Sequence, residues 1–335
     1  MKILALLNPE SGTKNQKTLK KEFIEAIEKY SVSYELLETS TIEEIYKAAS
    51  EAADRNYETV IGIGGDGTIN MIINAIATKN IYLGIVPTGT ANLLATALGI
   101  PIDVKKAVKI IFEGKKSTLD LGKINDKYFA ITAGCGFDAA IMGNINKQSK
   151  KLFGYMAYVF EGIKQAVLPK RSVFLLDIDG KKVKKRAVNV LFVNTGNILG
   201  NFITLVPDAS PSDGFLDICI YSPDHTGEYI PVLWNILTKQ QYDEEHPAYK
   251  MVHFKARQVK LKCRPRLPIQ ADGDLIGYPP VDISVCPDAL KIHAPLKVDT
   301  FMMNPEEFFR NLLDSAFKDK EPLTAQEKRL PKLII

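Results

Sequence analysis

The chain has 335 residues, 46% hydrophobic and 24% charged, with 22 Gly and 18 Pro, which suits one large domain or two and excludes both disorder and a fibre. A formal net charge of +4 favours an anionic partner such as a phosphate or an acidic bilayer. It is too mild for a nucleic-acid binder, which would need a dense basic stripe.

Residues 3–7 read as a first strand. This apolar run of five is cut short by Asn8 and Glu10, whereas a secretory signal needs an apolar core of ~7–15 residues. No stretch reaches the ~20 apolar residues that span a bilayer. The expectation is a cytoplasmic protein with no transmembrane segment, meeting any membrane from its surface. Leu19, Phe23, Ile27 and Tyr30 recur on one helix face, residues 34–37 form a short strand, and Ile42, Ile45, Ala49 and Ala52 mark a second helix. A β-branched strand at 59–63 is followed by a helix carrying Ile69, Ile72, Ile73 and Ile76, then a strand at 82–86 and a helical turn or two at 92–98. Asp103 caps a last helix reaching Phe112. This alternation predicts an α/β fold: a mostly parallel, doubly wound-like sheet covered on both faces.

Beyond residue 116 the rhythm changes. A strand at 128–132 and a helix at 154–167 precede runs of period two, including 174–178, 188–192, 216–220, 259–263 and 281–285. Asp179-Gly180 between two such runs signals a hairpin. Residues 117–297 therefore read as a larger β-rich antiparallel sandwich or barrel, and 1–116 as the α/β domain. A C-terminal helix at 305–317 is expected to return to the first domain, with 298–325 packing on it. Cys135, Cys219, Cys263 and Cys286 form no close pair and read as free thiols, mostly buried.

The most informative stretch is GIGGDGT at 62–68, which follows the third strand and opens a helix. Glycines there let the backbone approach phosphate, and the helix start supplies N–H donors and a favourable dipole. The spacing fits a dinucleotide fingerprint only loosely. The turn follows the third strand, carries Asp66 among its glycines and lacks an acid some 20 residues on. An acid beside a phosphate cradle makes sense when a divalent cation lies between them, which points to phosphoryl transfer. Loops at 8–12, with Asn8, Ser11 and Gly12, and at 87–92, with Thr90 and Asn92, fall at the same edge of the sheet, where open parallel sheets bind ligands.

GGDGT at 64–68, the NPxSG loop at 8–12 and PTGTANLLA at 87–95 together resemble the soluble bacterial branch of the diacylglycerol-kinase-like lipid kinases, over nearly the whole chain. Sphingosine and ceramide kinases are relatives of that family, and NAD kinases and phosphofructokinases resemble it distantly. The resemblance implies ATP held between the two domains, on Asn8, Ser11, Gly12, Gly64, Gly65, Gly67, Thr68, Thr90 and Asn92. It implies Mg2+ near Asp66 and Asp120, with Asp213 in the PDASPSDGFLD stretch at 207–217 as ligand of a structural magnesium. The family's DGE motif stands here as Asp272-Gly273-Asp274, so Asp274 takes the place of the Glu that serves as presumed general base. The catalytic set is thus Asp274, Asp66 and Asp120.

The implied reaction phosphorylates the hydroxyl of a lipid, diacylglycerol or a related glycerolipid, to phosphatidic acid at an anionic membrane surface. A kinase of a soluble polyol or nucleotide, and a non-catalytic nucleotide- or lipid-binding regulator, are the alternatives. Basic residues at 147–151 with the aromatics of 153–160, and the cluster Lys181, Lys182, Lys184, Lys185 and Arg186, suit a bilayer surface. A homodimer through a sheet edge is a reasonable assembly.

Overall fold

The computed structural model describes residues 1–9, 16–39, 41–136, 171–198, 203–222 and 251–296. Ser11, Gly12, the basic-aromatic stretch of 147–160 and the helices expected at 154–167 and 305–317 lie outside them.

The first half runs β1 (Lys2–Leu7), α1 (Gln16–Ile27), β2 (Ser33–Glu38), α2 (Ile42–Glu51), β3 (Thr59–Gly64), α3 (Asp66–Ile76), β4 (Tyr82–Pro87), α4 (Leu93–Ala97) and α5 (Val104–Glu113). Its strands pair in parallel in the order β2-β1-β3-β4. Continuous apolar runs explain why β1 and β3 are central: every residue of β3, and all of β1 but Lys2, is buried between helices. Local chemistry sets the helix starts. Thr41 and Glu44 form a reciprocal capping box on α2, and the Asp103 carboxylate accepts the Lys106 amide at 2.8 Å on α5.

The second half contributes β5 (Lys115–Ile124), β6 (Lys127–Phe129), β7 (Thr132–Gly136), β8 (Ser172–Ile178), β9 (Lys181–Ala187), β10 (Asn189–Val193), β11 (Asn197–Ile198), β12 (Ile203–Thr204), β13 (Leu216–Tyr221), β14 (Met251–Ala256), β15 (Gln258–Arg264), β16 (Ile269–Ala271), β17 (Asp274–Gly277) and β18 (Val281–Ala294). Strands β14-β13-β10-β7-β16-β17 form one antiparallel sheet. The facing layer is continuous with the parallel sheet, because the long β18 pairs with β15 near its start and with β4 near its end, giving the order β2-β1-β3-β4-β18-β15-β8-β9. Phe174, Phe192, Ile218, Leu261, Ile269 and Ile283 fill the space between the layers. The α/β sheet plus antiparallel sandwich expected from the sequence is therefore present. The hairpin at Asp179-Gly180 is present too, with φ of 46° and 87° as a two-residue primed turn requires. All four cysteines are free, three of them buried. Among the described residues no helix is long and apolar enough to cross a membrane.

Two differences from the sequence reading matter for the site. The single strand expected at 128–132 is split into β6 and β7, because Ala130 and Ile131 are held by long-range partners described below. Residues 115–124 form a ten-residue strand, β5, that pairs along most of β18.

The junction of the two halves contains one buried base. His293 is 3% exposed, its Nε2 3.1 Å from Thr59 Oγ1, and burial, helped by the Lys116 charge, pushes its pKa down to about 4. Below pH 6.5, the ordinary value, the unfolded chain takes up a proton that the folded chain refuses until about pH 4. Stability should therefore fall across that window, by about 3 kcal/mol from this residue. His293→Gln is expected to remove about 2–3 kcal/mol of the loss between pH 7 and pH 4.5, read from denaturant unfolding at the two pH values.

Candidate active site

The glycine turn sits where β3 gives way to α3. Gly65 is the N-cap residue, extended at φ −90° and ψ −173°, and has no side chain to cover the helix start. The first amides of α3 thus have no intrahelical acceptor, and the positive end of the helix dipole points the same way. Neighbouring loops are knitted around this point. Thr88 N–H donates to Gly64 O at 3.0 Å, Asn8 N–H to Ile63 O at 3.1 Å, and Asn8 Nδ2 to Thr68 Oγ1 at 2.9 Å. Asn92, buried and at φ 46°, closes the adjacent loop by accepting from Gly89 N at 2.9 Å and donating to Gly89 O at 2.7 Å. Thr90 stands exposed between them.

Glycine is required here for two different reasons. A Cβ on Gly89 would lie 2.6 Å from Gly65 Cα, so the two loops touch through backbone. A Cβ on Gly67 would meet nothing within 4 Å. Gly67 therefore leaves space open in front of the helix start, and that space suits a phosphate.

Beside the turn lies a small pocket of about 30 Å3, open on one side. Ile69, Ile73, Ile85, Leu94 and Ile131 give it apolar walls, and Asp66 and Asp272 are its two acids. No Lys or Arg lines it. Asp66 accepts the Leu93 amide at 2.6 Å, and burial raises its pKa above the ordinary carboxylate value. Asp272 accepts three amides, Ala130 at 2.7 Å and Ile131 and Thr132 at 3.0 Å each. Burial pushes its carboxyl up to about 6 against the pull of those amides, and the charge on Asp66 adds to the rise.

The carbonyls of the same strap are held from the other side. Asn194 Nδ2 and Thr195 Oγ1 each donate to Ala130 O at 2.9 Å, and both backbone amides donate to Ile131 O. This clamp breaks the strand into β6 and β7 and carries Ala130 and Ile131 into the pocket wall. Sequence reading does not single out Asn194, and it assigns Asp272 no site role, since an Asp before Gly reads first as a turn residue. Asp272 is indeed that as well, at φ 44° between β16 and β17.

Asp274, two residues on, is exposed, and its side chain makes no hydrogen bond or ion pair among the described residues. Asp120 is buried in β5 and does not line the pocket. Its carboxylate accepts the amides of Gly214 at 2.7 Å and Asp288 at 2.9 Å, tying β5 to the 211–214 loop and to the bulge in β18. Asp213 accepts its own loop's Phe215 amide at 3.0 Å and meets Lys255 Nζ at 2.8 Å.

Among the described residues no group of three or more His, Cys, Asp or Glu side chains could hold a metal ion. The pocket pair fits a magnesium ion of the kind that takes one or two carboxylates and keeps several waters. Asp213 does not fit a resident metal, because the ammonium of Lys255 already neutralises it and also reaches Asp217 at 3.9 Å. Lys255→Met is expected to make the melting temperature rise more with millimolar Mg2+ than it does in the unaltered chain. Equal rises in both would assign Lys255 no such role.

An open glycine turn at a helix start, set beside an apolar pocket with paired acids, is an arrangement that suits phosphoryl transfer. Comparison with known proteins gives the class its name. The diacylglycerol kinase catalytic domain family matches residues 2–124, and the YegS C-terminal NAD kinase beta sandwich-like domain family matches 131–294. The chain is 30% identical over 281 residues to a diacylglycerol kinase of Bacillus subtilis (strain 168), covering 82% of this chain and 90% of that one. It is 28% identical over 312 residues to a diacylglycerol kinase of Staphylococcus aureus (strain MRSA252), covering 92% and 98%. A crystal structure of a diacylglycerol kinase from Bacillus anthracis (strain Sterne) superposes with a TM-score of 0.70 at 20% identity, covering 88% of this chain and 96% of that one. The chain belongs to the diacylglycerol kinase family of lipid kinases.

Proposed function

We propose that the chain transfers the γ-phosphoryl group of ATP to the hydroxyl of a glycerolipid, diacylglycerol in the first instance, giving phosphatidic acid and ADP. The observation that carries this reading is the placing of the open glycine turn beside a pocket with apolar walls and two acids. The amides at the start of α3 hold phosphate, and the loop stapled by Asn92 fixes the turn's far side. The isoleucines and leucine of the pocket take the first part of an acyl chain and exclude water from the reacting groups.

Asp66 and Asp272 would hold Mg2+, which when bound supplies neutralisation of the phosphate charge. Asp274 accepts the proton of the lipid hydroxyl. Its carboxylate is unengaged among the described residues, whereas those of Asp66 and Asp272 are held by amides. Asp120 acts at a distance, as the tie that sets β5 and β18 around the site. The enzyme works from the cytoplasm at the surface of an anionic membrane.

A second reading, a kinase of a soluble polyol or nucleotide, is favoured by the likeness of the second half to an NAD-kinase sandwich. Transfer of radiolabelled γ-phosphate across a panel of lipid extracts, with NAD and glycerol beside them, separates the two. Label extracted into organic solvent from the diacylglycerol sample is the expected result. Label confined to the aqueous acceptors would replace the lipid reading with the second one.

A further inference from the structure

We propose that the outer face of the ten-stranded sheet, at its β15-β8-β9 end, docks the enzyme on an anionic bilayer; this rests on the lipid-kinase reading above. Strands β15 and β8 alternate strictly. Val259, Leu261 and Cys263 of β15, and Phe174 and Leu176 of β8, are buried in the sandwich core, so the residues between them face outward.

Register lines these outward residues up in three rows: Lys260, Asp177 and Lys182; Lys262, Leu175 and Lys184; Arg264, Val173 and Arg186. Six exposed cations stand on one face, and none has an ion-pair partner among the described residues. Its acids are Asp177 and, across from Lys260 on β18, Asp282. At ~4.8 Å between strands and ~6.8 Å per two residues, the three rows cover roughly 10 by 14 Å. Leu175, at the centre, is 40% exposed.

A plainer purpose exists for part of this charge. β9 ends the sheet, and edge strands carry lysines to refuse a further strand. That accounts for Lys182, Lys184 and Arg186. It does not account for Lys260, which lies where β15 is paired on both sides, with β18 and β8; Lys262 and Arg264 lie beyond the part paired with β18 and carry the row on along β8. Three cations held outward along β15, continuous with the edge cluster and beside an exposed leucine, complement a plane of lipid phosphates with acyl chains just beneath. Such a surface also brings the enzyme to where a membrane-dissolved alcohol resides.

Each cation close to an anionic surface is worth about a fivefold factor in partitioning. The full chain is sedimented with phosphatidylglycerol–phosphatidylcholine vesicles and with pure phosphatidylcholine vesicles. A triple variant, Lys184→Gln, Arg186→Gln and Lys262→Gln, is compared with a control of equal charge loss on the helical half, Lys29→Gln, Lys105→Gln and Lys106→Gln. The expected result is binding of the unaltered chain to the anionic vesicles only, weakened about 100-fold in the face variant and far less in the control. An equal fall in the control, no binding by the unaltered chain, or tighter binding to single-stranded DNA than to vesicles would overturn the proposal. Phosphate transfer to lipid in detergent micelles is measured alongside, and the face variant is expected to retain it. An unaltered chain that binds vesicles through this face yet transfers no label in micelles supports the docking surface and overturns the kinase reading.

Discussion

Asp274→Asn is expected to lower phosphate transfer to lipid by about 100- to 10,000-fold while leaving the melting temperature where it is, since a positioned general base contributes on that scale. The side chain is exposed and unengaged among the described residues, so its removal costs the fold nothing. Asp274→Glu supplies the sharper contrast. The family resemblance places a Glu at this position, one methylene longer, and misplacement by ~1 Å can cost about 100-fold. The Glu variant is therefore expected to keep or exceed the activity of the unaltered chain. Labelled-phosphate assays with both variants, and thermal unfolding beside them, decide the matter. Transfer by the Asn variant within twofold of the unaltered chain would remove Asp274 from the chemistry.

Gly67→Ala is expected to separate folding from catalysis at the phosphate turn. A Cβ at this position meets no protein atom within 4 Å, and the backbone there is helical, so alanine should hold or slightly raise stability. The same methyl group projects into the space assigned to the nucleotide phosphates, and kcat/KM for ATP is expected to fall about 100-fold. Gly89→Ala behaves differently, because its methyl would stand 2.6 Å from the Gly65 backbone, and both stability and activity should drop. An alanine at 67 that left ATP kinetics unchanged would move the phosphates elsewhere.

What could be read from the chain and what could not divides along sequence distance. The glycine turn, the alternation of strand and helix, and the Asp-Gly hairpins are local signals, each contained within a few residues. The positions of the acids are not. Asp272 becomes part of the pocket by binding amides about 140 residues earlier in the chain, and Asp213 gains its cation from a lysine 42 residues later. Nothing near either residue announces such a partner. Asp120 illustrates the same limit from the other direction. Its motif resemblance is local, while its bonds to Gly214 and Asp288 lie 94 and 168 residues away. Strand β5 escaped notice because KKSTLDLGKI lacks a clean alternation, its first residues being exposed and Leu119 to Gly122 buried together.

The pairing of β4 with β18 sets the order in which this protein can be completed. The partner residues, Tyr82 with Lys291 and Leu83 with Ile292, stand 209 residues apart in the chain. Until β18 has emerged, the growing chain carries a bare row of backbone donors and acceptors along β4, ready to capture a stranger. Closing that flank is a late step with a long loop to gather in, and the helical half must survive as an unfinished plate until it happens.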